Sequence, residues 1–476
     1  MKKEHSCRLR FLLAAVLLVI LSGCVFATTE AEPESKEVSQ TRRVLSQSDA
    51  ESLYRTAVEN ISLMKSLTLS VESTKDIAVD NVEFSETCFQ TITYEGYGTD
   101  QLRASVCEER NIGTYSIQTT TVFDNDTAYF TVGDGHFQSN MSAEAFSARY
   151  VPPILLDSSL YKCIQVVEEN DRVVITFSEP VAPEKWIGYS NKFVGDVIGE
   201  TVLDLDGRLL ESTYRFTLKN GQTQIKHYVR VAIDMSPGEI QSVSSDDYTK
   251  LDTPDAPLIL ERACGYLLQA PSVEAESKEM ISCDAYGDER NQIVTLEMTG
   301  EDSMLYADIS LAVGMVNHNR AGEIVENNYV MSYADGCYRT WQNGEVKKEQ
   351  VVVPPETIRT YCQTLLLSTV ILPEQISSAD VFDQGETYLL SFTVNESFAK
   401  RMRQNACQIL YQDPGLLELL ENQKITDSAN GYLIVDKLTG IPSASGIEYL
   451  GTFLIDEQPY SLVSKADQNY QLTVVS

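Results

Sequence analysis

Apolar residues along this chain change their spacing at a few sharp points, and those changes mark the elements. At Ala50, Leu53, Tyr54, Ala57, Val58, Ile61 and Met64 they fall three or four residues apart, which is one face of an amphipathic helix. In front of it Ser48-Asp49-Ala50-Glu51 has the form of a capping box, with Ser48 as the cap. At Leu67, Leu69 and Val71 the period drops to two and a strand begins. The pattern then stays strand-like to about Met235, with runs at 88–94, 102–107, 128–132, 172–177, 202–205 and 214–218. Gly96-Tyr97-Gly98, Asp134-Gly135, Asp206-Gly207 and Asn220-Gly221 are the turns expected between them.

Past a polar stretch the programme restarts. Residues 239–255 hold Ser244-Ser245-Asp246-Asp247 and few apolar side chains, and read as a linker. Asp255 is placed to cap a helix with Pro257 in its first turn and Leu258, Leu260, Ala263, Leu267 and Leu268 on its apolar side. Val273, Ala275, Ser277 and Glu279 then alternate as a strand. Three correspondences suggest that the second half copies the first: 129–137 with 330–338, Val151-Pro152-Pro153 with Val353-Pro354-Pro355, and 171–177 with 386–392. The second copy carries the longer insertion, 395–425, in which Phe398, Met402, Cys407 and Leu410 precede Asp413-Pro414-Gly415 and a further apolar run. Two helices broken at the proline are expected there. The organisation predicted is α+β: domains 48–238 and 256–476, each opening with a helix and continuing as an antiparallel meander with helices inserted midway.

The N-terminus has its own pattern. Lys2, Lys3, Arg8 and Arg10 precede an apolar run from Phe11 to Leu21 that is short for a membrane span. Leu21-Ser22-Gly23-Cys24 resembles the bacterial lipobox, whose cysteine is acylated before the preceding peptide is removed. The resemblance implies a signal peptide over 1–23, lipid attachment at Cys24 and residence on the extracytoplasmic side of the cell membrane. Residues 24–47, rich in Thr, Ser and Glu, become the acylated end and a flexible tether.

Behind that signal, the element order and the helix-to-strand opening from Met64 to Val71 resemble the LolA-like superfamily of bacterial lipoprotein carriers and related lipoproteins. The resemblance implies two tandem half-open antiparallel β-barrels, each with a concave apolar face partly covered by helices, and a cavity for an apolar ligand or acyl chain.

Charge narrows the partners. The formal net charge is −32, and loss of residues 1–23 removes four cations and Glu4, leaving −35. A surface this acidic repels phosphate backbones and anionic headgroups, so nucleic acid is excluded and membrane residence falls to the lipid on Cys24. Of ten cysteines, Cys7 leaves with the signal and Cys24 is acylated. The remainder divide three and five between the halves with no Cys-x-x-Cys, so no zinc site or regular disulfide framework is indicated. Cys88 and Cys107 flank a turn centred between Tyr97 and Gly98; a regular hairpin would set them opposite each other, as a cross-strand disulfide or a plain buried contact.

Three motifs occur in the order used by serine enzymes acting on penicillin and peptidoglycan: Ser62-Leu-Met-Lys65, Tyr189-Ser-Asn191 and Lys437-Leu-Thr-Gly440. Their context opposes catalysis, because Ser62 ends a helix and the last motif carries an extra residue and reads as a hairpin turn. His136, His227 and His318 stand apart from one another and from cysteine, and Asp204-Leu-Asp206-Gly207 and Asp124-Asn-Asp126 read as turns rather than calcium loops. No catalytic residue, metal or cofactor is assigned. The sequence therefore points to a non-catalytic, lipid-anchored binding protein for an apolar ligand or acyl chain, with recognition of an envelope protein, as sensor or scaffold, as the alternative. In the first half Val132, Ile154, Leu155 and Val174 are expected to face the groove; in the second, Leu366, Ile371, Leu389 and the 395–425 helices.

Overall fold

The computed structural model describes residues 43–44, 46–79, 82–97, 99, 101–150, 163–169, 171–180, 196–221, 223–234, 240, 243, 248–270, 272–285, 288–299, 308–318, 324–334, 337–352, 354–410 and 424–472. The signal segment, Cys24, Ile154, Leu155, Tyr189-Ser-Asn191 and the second helix expected near Leu416 lie outside them. Among the described residues, no helix is long and apolar enough to cross a membrane.

The first sheet grows outward and then returns. Strand β1 (Arg43–Val44) precedes helix α1 (Gln47–Ser62). Six strands follow: β2 (Ser66–Val79), β3 (Val82–Glu95), β4 (Arg103–Ile112), β5 (Tyr115–Asp124), β6 (Thr127–Val132) and β7 (Gly135–Asn140). Helix α2 (Ala143–Tyr150) carries the chain to the far edge. It comes back through β8 (Cys163–Glu169), β9 (Arg172–Pro180), β10 (Asp196–Asp204), β11 (Leu209–Asn220) and β12 (Thr223–Asp234), and β12 pairs with β2. The linker contributes β13 (Thr249–Lys250), parallel to β7.

The second sheet repeats the route. Helix α3 (Ala256–Gln269) leads into β14 (Ser272–Cys283), β15 (Asp288–Thr299), β16 (Asp308–His318), β17 (Ile324–Ala334), β18 (Cys337–Gln342) and β19 (Glu345–Val352). Helix α4 (Pro355–Leu366) is followed by β20 (Ile376–Asp383), β21 (Thr387–Val394), helix α5 (Glu396–Leu410), β22 (Thr426–Asp436), β23 (Pro442–Ile455) and β24 (Gln458–Leu472). From edge to edge the first sheet runs β7-β6-β5-β4-β3-β2-β12-β11-β10-β9-β8 between β13 and β1, and the second β19-β18-β17-β16-β15-β14-β24-β23-β22-β21-β20. Both sheets are open, and the fold is α+β.

Alternation decides which face of each sheet is covered. Leu67, Leu69 and Ile77 of β2 sit opposite Tyr94, Ile92 and Phe84 of β3, and all six are buried. On the other face of these strands Ser70, Asp76 and Thr91 are exposed, the half-solvated arrangement usual for antiparallel sheets. Helix α1 turns Tyr54, Ala57 and Ile61 inward, on the expected face, against β8 and β11. Phe146 of α2 stacks on Phe123 at 4.6 Å and is fully buried, a contribution of about 2–3 kcal/mol.

Several expectations are corrected by register. The cap of α1 is Ser46, whose hydroxyl accepts from the Asp49 amide, rather than Ser48. The 129–137 correspondence is displaced by one strand, because β6 and β7 are the fifth and sixth strands of their meander and β17 and β18 the fourth and fifth of theirs. The 171–177 correspondence does join equivalent strands, β9 and β21. Cys88 faces Arg110, and Cys107 faces Thr91. The connection after Glu95 extends to Leu102, which slips the hairpin by three residues from the expected register; an odd slip turns Cys107 to the opposite face. Cys88 is buried, Cys107 is exposed, and both are free, so neither the disulfide nor the contact forms. Val174 and Leu389 likewise alternate with the buried residues Val173, Ile175 and Leu390 and point away from the inner face.

The expectation that each half closes its own core is also revised. Leu251 of the linker is buried against Phe130, Val132 and Phe137. The largest apolar cluster joins Leu69, Ile92 and Val231 of the first half to Tyr266, Val273, Leu296 and Tyr470 of the second. Helix α3 serves both sides, giving Tyr266 and Leu267 to that cluster and Ala256, Leu260 and Ala263 to another within the second sheet.

Candidate functional site: two inner faces

On the first sheet, alternation carries charge inward. Glu86, Cys88 and Gln90 of β3, and Glu108 and Arg110 of β4, occupy inner-face positions in line with Ile92 and Val106. Helix α3 packs over β4, β5 and β6 and completes the set. Glu86 accepts from Arg262 at 2.9 Å, from the Tyr266 hydroxyl at 2.6 Å and from Arg110. Arg110 also pairs with Glu108 at 2.8 Å, and Gln90 donates to Glu108. Burial alone would push the Glu86 carboxyl up, but Arg262, Arg110 and Lys75, with the Tyr266 hydrogen bond, outweigh it and hold it well below the ordinary value. Burial, helped by Lys75, pushes His227 down from 6.5 to about 4, so the imidazole is neutral at pH 7.

The rest of α3 is matched to the first sheet as closely. Tyr115 donates to Glu261 at 2.7 Å, the Thr114 hydroxyl and amide reach Gln269 at 3.1 and 3.2 Å, and Arg149 pairs with Asp255 at 2.6 Å. Asp255 thus spends its carboxylate on α2 rather than on the cap assigned to it, and makes no side-chain capping bond. Gly265 permits the approach, because a Cβ there would lie 2.8 Å from the Tyr115 ring and 3.0 Å from Ile112. A cavity of about 210 Å³ remains, of mixed lining: Glu108, Arg110, Thr121 and Arg149 with Phe130, Met141 and Leu258 among others.

On the second sheet the inner face stays open. Helix α5 lies over β22, β23, β24 and β14, held at its N-terminus and at its middle. Asn395 accepts from the Phe398 amide at 2.9 Å and donates to the Glu374 carbonyl at 2.8 Å. Arg403 pairs at 2.9 Å with Asp427, both nearly buried, and Asp427 also accepts from Tyr449. Between α5, the end of α4 and the sheet lies a cavity of about 590 Å³. Phe398, Met402, Ala406 and Ile409 line it from α5, Leu367, Val370 and Ile371 from the chain after α4, and Ile281, Ile447 and Ala466 from the sheet. Cys264 of α3 also lines it, and Glu279, Arg401 and Lys465 are among its polar lining residues. Volume and lining are those of a small-molecule pocket.

Of the residues read from sequence, Ile371, Phe398 and Met402 come together here, while Leu366 is buried in the shared core. Val132 borders the small cavity of the first sheet. Lys437-Leu-Thr-Gly440 forms the β22–β23 turn, with Asp436 accepting from the Leu438 and Thr439 amides and Gly440 at φ +81°. Asp204 likewise accepts from the Arg208 amide, and Asn125 and Asp126 hold the positive φ of a tight hairpin. His136 contacts Thr131 and the Tyr248 ring. Among the described residues, no group of His, Cys, Asp and Glu could hold a metal ion. The ion cluster was missed, although Glu86 sits at an inward position two residues from Phe84. Its inward side was readable; its partner on α3 was not.

No protein-family model matches the sequence, and no curated protein matches it. Among solved structures, LprF from Mycobacterium bovis is similar at 11% identity over 41% of this chain and 97% of its own, with a TM-score of 0.25. A DUF1329 family protein from Desulfovibrio piger is similar at 7% identity over 42% of this chain and 95% of its own, with a TM-score of 0.19. Likeness at this level carries neither family nor function to the chain.

Proposed function

We propose that this protein is a lipid-anchored, extracytoplasmic binding protein that holds an acyl chain or similar apolar ligand in the second sheet, without catalysis. The observation that carries the reading is the cavity of about 590 Å³ between α5 and the inner face, with its largely apolar lining. The anchor is proposed at Cys24, on the pattern of residues 1–24. The common strand order of the two sheets, each opened by a helix, supports reading 48–238 and 256–476 as tandem LolA-like half-barrels joined through 239–255. The test is titration of the intact chain with a fluorescent fatty acid. Saturable binding that is lost in Met402→Glu, with unfolding otherwise unchanged, is expected.

A second reading, recognition of an envelope protein, has one observation in its favour. On the outer face of the first sheet Ile198 and Tyr228, both exposed, flank Arg215 across β10, β11 and β12. A folded chain that binds no fatty acid would move the function there.

A further inference from the structure

Strand β24 pairs with the first strand of the second meander, as β12 does in the first sheet. Counted from the start of that first strand, Ile281 of β14 holds the place of Lys75 in β2, and Glu279 the place of Ser73. Their cross-strand neighbours therefore correspond as well: Ser464 to His227, and Ala466 to Val229. The first sheet fills these two positions with an imidazole and a branched side chain; the second puts only a hydroxymethyl and a methyl there. Ser464 and Ala466 are only partly buried, although they lie on an interior strand. The inner-face residues before and after them, Leu462 and Gln468, are buried. The opening above the pair is the cavity beneath α5, which both residues line.

The small pair sits in a slot. Ser464 faces Ile281 of β14 on one side, and Ala466 faces Ile447 of β23 on the other. β14 and β23 are the two neighbours of β24, so they stand about 10 Å apart. The roof is a stripe of α5, Phe398, Met402 and Ala406, at four-residue steps. We propose that Ser464 and Ala466 set the depth of the cavity, and that the ligand they admit is a single unbranched aliphatic chain lying between Ile281 and Ile447. The assignment rests on the acyl-chain reading above and adds to it the shape of the ligand and the residues that select it. A straight chain passes over the two small side chains and keeps contact with both isoleucines, burying its methylenes. A ring is wider than the slot and has to displace Met402 or spread the strands, which a close-packed interior resists.

The test is calorimetry on the intact chain with two carboxylates of equal carbon count, dodecanoate and 6-cyclohexylhexanoate. Dodecanoate should bind about tenfold or more tighter, the scale of overpacking a filled site. Ala466→Val, which installs the residue of the first sheet, should weaken dodecanoate about tenfold, and Ala466→Leu should weaken it further. Thr340→Leu, which narrows the neighbouring cavity of about 400 Å³ beside α4, should leave it unchanged. Urea unfolding of each variant separates lost binding from lost folding, and Ala466→Val carries the test if the larger side chain is not tolerated. Undiminished dodecanoate affinity in the folded Ala466 variants, with binding still lost in Met402→Glu, overturns the depth assignment while the acyl-chain reading stands. An equal loss in Thr340→Leu overturns it too. Equal affinity for the two carboxylates overturns the unbranched chain. If neither binds the unaltered protein, the acyl-chain reading falls and this one with it.

Discussion

The two sheets share a strand order and are filled in opposite ways. In the first, the second strand of the meander turns Glu86, Cys88 and Gln90 inward, and Arg262 and Tyr266 of α3 meet Glu86 there. In the second, the equivalent strand turns Arg290, Gln292 and Val294 inward, and a cavity remains between them and α4. A charge on an inner face must be paired or left at a cost of several kcal/mol, so the first sheet is completed by a helix from the other half. The second sheet carries a longer insertion whose helix stands off the strands, and the space below it stays largely apolar. One topology thus yields a docking face for α3 in one half and an open, largely apolar cavity in the other.

The largest effect should come from removing the charge that seats α3. Glu86→Gln keeps the shape, leaves Arg262 without its carboxylate and Arg110 with Glu108 alone, so a loss of about 3–5 kcal/mol is expected in urea unfolding. Glu279→Gln, in the second sheet, should cost under about 1 kcal/mol by the same measurement, because Glu279 is only partly buried and faces one cation, Arg290, rather than a buried network of several. Equal losses would erase the contrast between the sheets.

Acid should strike the same region. His227 titrates at about 4 when folded and near 6.5 when unfolded, so between those values the unfolded chain binds more protons. Stability should therefore be complete above pH 6.5 and fall by up to about 3 kcal/mol as pH drops to 4. Glu86, with its lowered value, adds its own loss only below the ordinary 4.5. His227→Gln should flatten the upper part of that slope in pH-dependent unfolding.

Gly265→Ala sharpens the comparison further. Alanine in a helix interior ordinarily gains about 1 kcal/mol over glycine. Here the added Cβ meets the Tyr115 ring, and overpacking costs about 1–3 kcal/mol, so a net loss in thermal unfolding is expected. A gain would show that α3 sits looser on the first sheet. The smallest effect is chemical: Cys107 should react with a thiol reagent in the native protein, and Cys88 only after unfolding.

Much of the architecture was legible in residue spacing. The α1 face, the restart at Asp255 and the insertion helix after Asn395 follow from local periodicity, which needs no knowledge of distant contacts. Register was not legible where a loop length decided it. Three extra residues between β3 and β4 moved Cys107 to the far face, and single-residue phase errors did the same to Val174 and Leu389. The role of α3 was hidden for another reason. Its apolar stripe reads as one helix covering one core, and nothing local shows that Arg262 and Tyr266 reach a glutamate some 180 residues earlier.

The central claim is that the first inner face is taken by α3 and that only the second receives a ligand. Native mass spectrometry of the intact chain with excess dodecanoate measures this directly. One ligand per chain is predicted, retained in Thr121→Leu, which alters the small cavity of the first sheet, and lost in Met402→Glu. Two ligands per chain, or one that survives Met402→Glu and disappears with Thr121→Leu, would contradict it.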